Sequence, residues 1–167
     1  VFSNTGTIDT GSGDDQVKAA YSVDDVSLGE GNDKLDVGTE ISGDLDTGSG
    51  NDLVKVGTNV NEDVNLGEGD DYIKIGGYLN GSGDTFDAGS GDDVVKVAYN
   101  AQSSDMRLGE GNDYLSVGQE FQGKLDAGSG NDTVIIGANT VGTIGLGEGN
   151  DYLKIGGTTL NGGTVDA

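Results

Sequence analysis

Aliphatic side chains fall at every second position in eight short stretches of this chain. One column runs Val17, Leu35, Val54, Ile73, Val95, Leu115, Val134 and Leu153; two residues later stand Ala19, Val37, Val56, Ile75, Val97, Val117, Ile136 and Ile155. Side chains alternate across a strand, so a period of two predicts β-structure with one buried face. Between the columns lie Lys18, Asp36, Lys55, Lys74, Lys96, Ser116, Ile135 and Lys154, which are expected to point outward beside outward acids. A second inward column precedes each stretch: Ile8, Val26, Leu45, Val64, Phe86, Met106, Leu125, Ile144 and Val165. Two residues after each of these, size alternates from copy to copy: Thr10, Leu28, Thr47, Leu66, Ala88, Leu108, Ala127, Leu146.

The two kinds of strand are joined by a turn that recurs eight times, most fully as Leu66-Gly67-Glu68-Gly69-Asp70-Asp71-Tyr72-Ile73-Lys74-Ile75-Gly76. Its first glycines are Gly11, Gly29, Gly48, Gly67, Gly89, Gly109, Gly128 and Gly147, and its second are Gly13, Gly31, Gly50, Gly69, Gly91, Gly111, Gly130 and Gly149. The cores close on Asp15, Asp33, Asp52, Asp71, Asp93, Asp113, Asp132 and Asp151. The spacing is about 19 residues, with one step of 22 from Gly67 to Gly89. A fixed period of this length is the mark of a solenoid. The expectation is an all-β parallel β-solenoid of about eight coils, occupying 1–167 as one array. At about 4.8 Å per coil it spans roughly 40 Å. Stretches such as Gly57–Glu62, Gly76–Asp84, Ala98–Ser104, Gly118–Gln122, Gly137–Val141 and Gly156–Gly163 read as variable loops on the far edge. The chain starts and stops within the pattern, which suits a window of a longer array or ends that stack on neighbouring copies.

Charge sharpens this picture. The net charge is −22, with 33 Gly and no Pro, Cys, Trp or His. Such acidity with few aromatics by itself suggests disorder; the strict aliphatic columns argue otherwise. With no basic patch evident, nucleic acid is excluded as a partner by sign, and an anionic membrane is disfavoured for the same reason. No apolar run reaches the ~20 residues of a bilayer span, so membrane insertion is not expected. No leader peptide is visible. Without His or Cys there is no Ser-His-Asp triad, no Cys nucleophile and no imidazole or thiolate zinc site, so the chain is not expected to be an enzyme.

Stacking places the eight turn aspartates in one column, about 4.8 Å apart. Capping of Asx-turns accounts for single aspartates but not for a column that repels itself along its length. A hard divalent cation between successive coils reverses that sign. Ca²⁺ accepts six to eight oxygens in flexible geometry, whereas Mg²⁺ demands a small octahedron and keeps its waters. Paired Asp carboxylates and turn carbonyls, turned by the glycines, would supply the oxygens. Seven or eight ions are expected, and seven would bring −22 to about −8, an ordinary surface charge.

These turns resemble the glycine-rich nonapeptide repeats of RTX proteins, Gly-Gly-x-Gly-x-Asp-x-U-x. Thr47-Gly48-Ser49-Gly50-Asn51-Asp52-Leu53-Val54-Lys55 matches, with Thr in place of the first Gly. The resemblance covers nearly the whole chain. It implies that turn carbonyls and Asp bind calcium, that folding as a β-roll follows binding, and that the protein is exported by a bacterial type I route to the outside or cell surface. The common roll carries the motif on both edges. Here the other half-coil reads Gly43-Asp44-Leu45-Asp46 or Gly123-Lys124-Leu125-Asp126, which implies a single calcium row. Such single-edge repeats resemble those of large RTX adhesins, where a repeat region with Gly-Thr-Gly-Asn-Asp turns meets ice through a flat row of Thr and Asn. In this chain Ser12, Ser49, Ser90 and Ser129 alternate with Glu30, Glu68, Glu110 and Glu148 at the Thr position, and Asp replaces Asn at 14, 70 and 92. A Glu on every second coil breaks a flat array and argues against ice binding.

The leading expectation is a structural, calcium-stabilised rod: a spacer or building block of an adhesin, surface layer or filament. Its candidate partners are calcium and further copies of itself, end to end or side by side. An ice- or carbohydrate-binding face and the calcium-binding tail of a secreted hydrolase are the alternatives. Tyr72, Tyr114 and Tyr152 form a candidate packing or sugar-contacting stripe, against a reading as exposed β-formers. Asp9, Asp46, Asp87, Asp126 and Asp166 either add carboxylates to the calcium row or are rim charges. The four turn glutamates read as solvated rim.

Overall fold

A computed structural model describes residues 6–166, leaving aside the side chains at 82, 104 and 159–165. In chain order the strands are β1 (Ile8–Asp9), β2 (Gln16–Ala19), β3 (Val26–Ser27), β4 (Lys34–Val37), β5 (Leu45–Asp46), β6 (Leu53–Val56), β7 (Val64–Asn65), β8 (Tyr72–Ile75) and β9 (Leu79–Asp87). There follow β10 (Val94–Val97), β11 (Ala101–Glu110), β12 (Tyr114–Val117), β13 (Phe121–Ser129), β14 (Thr133–Ile136), β15 (Thr140–Gly145), β16 (Tyr152–Ile155) and β17 (Thr159–Asp166). Odd strands hydrogen-bond into one parallel sheet and even strands into a second, each strand beside the next of its own kind. Every coil therefore contributes one strand to each sheet, as the 19-residue period predicts.

The register follows the sequence columns. Val54 pairs with Leu35 below and Ile73 above, and Val64 pairs with Leu45 and Phe86. From Leu35 to Val134 and from Val26 to Ile144 these columns are buried; Val17, Leu153, Ile155 and Ile8, at the two ends, are only partly covered. The side chain of Val165 lies outside the described residues, as does Ala167. No helix of the described residues is long and apolar enough to cross a membrane.

The far edge departs from expectation. Within the stretches read as variable loops stand Val60, Leu79, Ala101 and Phe121, all buried, in a column that runs, among the described residues, from Val23 and Ile41 to Thr140. This third inward column closes the core where variable loops were expected. It also explains the size alternation beside the turns. Ile41 shares its coil with Thr47, Val60 with Leu66, Leu79 with Ala88, Ala101 with Leu108, Phe121 with Ala127, and Thr140 with Leu146. A large residue at one edge accompanies a small one at the other. Each coil thus keeps a similar core volume, which uniform stacking at native packing density requires. The 22-residue coil takes up its extra length between Leu79 and Phe86, where the register of β9 against β11 shifts.

The outward lysines outnumber the acids on their own sheet. Six of the eight cations (Lys18, Lys34, Lys55, Lys74, Lys96, Lys154) lie on the outer face of the even sheet, whose strands carry one acid, Asp36. The exclusion of nucleic acid rested on there being no basic patch; the folding of the chain assembles one, so that reasoning falls.

Candidate metal centre

Each Gly-x-Gly turn brings its coil against the one below through the backbone. Gly67 has φ 97°, and a Cβ built on it would come 1.8 Å from the Gly48 carbonyl oxygen. Only glycine combines that left-handed conformation with so close an approach. The first-glycine carbonyls are engaged up the stack: Glu30 N–H donates to Gly11 O at 2.8 Å, and Glu68 N–H to Gly48 O at 3.0 Å. The second-glycine N–H groups donate to the x-residue carbonyl above, as from Gly31 to Ser49 O at 2.8 Å. The second-glycine carbonyls, at Gly13, Gly31 and their equivalents, accept none of the inter-coil main-chain bonds made by the turns of the described residues.

The two residues after the second glycine form two ladders of opposite sense. In the inner ladder each Asp N–H donates to Oδ1 of the Asp one coil above: Asp15 to Asp33 (2.7 Å), Asp33 to Asp52 (2.7 Å), Asp52 to Asp71 (2.7 Å), Asp71 to Asp93 (2.8 Å), Asp93 to Asp113 (2.8 Å), Asp113 to Asp132 (2.9 Å) and Asp132 to Asp151 (2.9 Å). In the outer ladder the N–H points down instead, from Asn32 to Asp14 Oδ1 at 2.8 Å and onward without a break to Asn150, which donates to Asn131 Oδ1 at 3.0 Å. Each Asx-Asp pair therefore staples its coil to both neighbours. Asn and Asp serve the outer ladder equally, because only a side-chain oxygen is needed. The sequence reading followed the aspartates and missed this outer column; the Asx at every turn was its signal.

The inner ladder uses Oδ1 of each carboxylate from Asp33 to Asp151. The other, Oδ2, is buried with no hydrogen-bond partner at Asp15, Asp33, Asp52, Asp71, Asp93, Asp113 and Asp132. Burial pushes the carboxyls up from the ordinary range, to about 7 at Asp71, about 8 at Asp93 and about 6 at Asp113. Desolvation is the largest cause and neighbouring carboxylates add to it. Asp52 and Asp132 are raised for the same reasons. Leaving a buried polar atom unsatisfied costs about 1–3 kcal/mol, more when charged. Seven such atoms amount to on the order of 10 kcal/mol, comparable with the whole stability of a typical domain, about 5–15 kcal/mol.

This donor set fits a hard cation. Among the described residues no three acidic side chains converge on one point, so an ion between coils would draw on the Oδ2 row and complete its shell from main-chain carbonyls. That oxygen-only chemistry suits Ca²⁺ better than Zn²⁺ or Mg²⁺. The other candidates lie elsewhere. Glu30, Glu68, Glu110 and Glu148 are exposed. Asp9, Asp46, Asp87 and Asp126 sit on the outer face of the odd sheet rather than in the buried row; Asp46 accepts from Asn65 Nδ2 at 3.2 Å, and Asp87 lies 4.0 Å from Arg107. Tyr72 and Tyr114 are half-buried, Tyr152 is exposed, and Lys96 Nζ stands over the Tyr72 and Tyr114 rings, 5.1 and 5.7 Å from their centroids.

No protein-family model matches the chain, and no curated protein matches it. Among solved structures it is similar to a hyperactive, Ca²⁺-dependent, β-helical antifreeze protein from an Antarctic bacterium, at 30% sequence identity and a TM-score of 0.75. The similarity covers 96% of this chain and 60% of that one.

Proposed function

We propose that this chain is a calcium-stabilised β-solenoid rod of a secreted or cell-surface bacterial protein, of the RTX type, acting as a structural spacer or building block. The observation that carries the reading is the row of seven buried, partnerless Asp Oδ2 atoms. A chain that buries such a row has a place for a cation at each step between coils. The calcium dependence of the similar antifreeze protein supports the choice of ion. The ligand set is one Oδ2 from each turn Asp together with turn carbonyls. The open carbonyls of the second glycines are the first candidates, and the first glycines contribute through their remaining lone pairs. Calcium levels outside the cell favour the folded state there, in keeping with export of the unfolded chain. No step of catalysis is assigned to any residue. Equilibrium dialysis followed by elemental analysis tests this: seven or eight calcium ions per chain are expected, with magnesium failing to replace them, and one or two weakly held ions would refute the row.

The likeness to an antifreeze protein favours ice binding as a second reading. The turn edge weighs against it, because exposed carboxylates of Glu30, Glu68 and Glu110 interrupt the serine positions. Thermal hysteresis of the calcium-loaded chain decides between them: none is expected, and strong hysteresis would make the turn edge an ice face.

A further inference from the structure

The two outer faces of the rod carry opposite charge. In the first five coils the outer face of the even sheet presents Lys18, Lys34, Lys55, Lys74 and Lys96 against the single acid Asp36, which pairs with Lys18 at 2.8 Å. Over the same coils the odd sheet presents Asp9 and Asp46, with Asp25, Asp44 and Asp63 exposed one residue before β3, β5 and β7, and no cation stands on β1, β3, β5 or β7. The odd sheet's two cations come later, where Arg107 pairs with Asp105, as does Lys124 at 3.4 Å. Lys55 and Lys74 are exposed and line a shallow groove together with Gly38, Gly57 and Gly76.

We propose that the outer face of the even sheet docks on the outer face of the odd sheet of a second copy of this chain. Complementary charge is one reason. Periodicity is the other: both sheets belong to one solenoid, so lysines on one and aspartates on the other repeat with the same coil spacing of about 4.8 Å. When one pair meets, pairs on the neighbouring coils meet with it. A polyanion of unrelated period gains no such commensurate register. Tyr72 and Val94 add flat, partly apolar area to the basic face. The contact is heterologous, because each rod offers one basic and one acidic face, so it propagates into rows rather than closing as a dimer. A sheet face of eight strands, four residues wide, is about 500 Å². The pair buries about 1,000 Å² at most, the low end for a specific interface, so a single array associates weakly and longer arrays more firmly.

The inference rests on the calcium-loaded rod of the preceding reading, and the test reads fold and contact separately. Sedimentation equilibrium is measured in calcium on the parent chain, on Lys55→Glu/Lys74→Glu and on Asp44→Lys/Asp63→Lys. Circular dichroism first establishes that all three carry the same β-signal. The parent is expected to associate with rising concentration at low salt and to dissociate at about 1 M salt, where charges are screened beyond about 3 Å. Each variant alone is expected to be monomeric, because both of its faces then have the same sign over the central coils. Their mixture regains association. A parent that stays monomeric at low salt overturns the proposal. So does association that neither variant disturbs, which would mark end-to-end stacking. Binding of polygalacturonate or of single-stranded DNA by the parent but not by the lysine variant, without self-association, would give the basic face to a polyanion instead.

Discussion

At the turn edge all eight coils repeat Gly-x-Gly-Asx-Asp and seven bury a carboxylate oxygen; at the far edge the coils bury Val23, Ile41, Val60, Leu79, Ala101, Phe121 and Thr140. One edge tolerates almost no change, the other ranges from Ala to Phe. Hydrocarbon packing asks only that volume be conserved within a coil, and that demand is met by an opposite change beside the turn. The turn edge asks for a left-handed backbone, a close carbonyl and an oxygen at a fixed height, and each position admits one or two residue types. The far edge stabilises the coil without help. The turn edge, without a cation, opposes folding at neutral pH.

The first way to separate the edges is to remove charge from one. Asp71→Asn with Asp93→Asn is expected to lower calcium stoichiometry and to weaken the calcium-loaded fold by several kcal/mol, as the loss of ligands to a folding metal does. In chelator the same pair is expected to stabilise, since it removes two buried charges while keeping an acceptor oxygen for the ladder. A change of the same sign in both conditions would refute the difference between the edges. At the far edge Phe121→Ala is expected to cost about 3–5 kcal/mol for the cavity it leaves, with and without calcium, and to release no ion; calorimetric melting checks it in calcium at neutral pH and in chelator at about pH 4, where the metal-free fold keeps its carboxyls protonated.

pH acts on the turn edge with opposite sign in the two conditions. The raised carboxyls of Asp71, Asp93 and Asp113, at about 7, 8 and 6 in the metal-free fold, favour the protonated state there. Their contribution is full below the unfolded value near 4 and is lost as pH rises through the folded values. The melting temperature in chelator is therefore expected to fall between about pH 4 and pH 8. In calcium it is expected to rise over the same range, because binding requires the ionised carboxylate. Parallel curves would contradict the account. The smallest effect is assigned to the outer ladder: Asn112→Ala removes one side-chain acceptor at an exposed position, for about 1 kcal/mol, and leaves ion stoichiometry unchanged.

How far the sequence reveals this molecule differs between the same two edges. The strands beside each turn are legible because Val54, Ile73 and Val95 keep one distance from an invariant Asp, so period and register are read together. The buried aspartate row is legible for the same reason. The far column is not. The distance from it to the next inward residue is four between Val60 and Val64 but seven between Leu79 and Phe86, and a period of two cannot be followed through such a change. The outer ladder was hidden by treating Asp14, Asp70 and Asp92 as departures from Asn, when either residue offers the needed oxygen. The basic face was hidden by the total: −22 says nothing of side, and only the strand assignment puts Lys34 and Lys55 on one sheet and Asp9 and Asp46 on the other.

The central claim is that the turn edge folds around calcium, and a titration of the chelated chain at pH 7.5, followed by far-ultraviolet circular dichroism with magnesium as control, meets it directly. The account predicts little β-signal in chelator, a cooperative rise to the full signal with calcium, and no such rise with magnesium. A chain already folded in chelator at that pH, or one that responds to both ions alike, would contradict it.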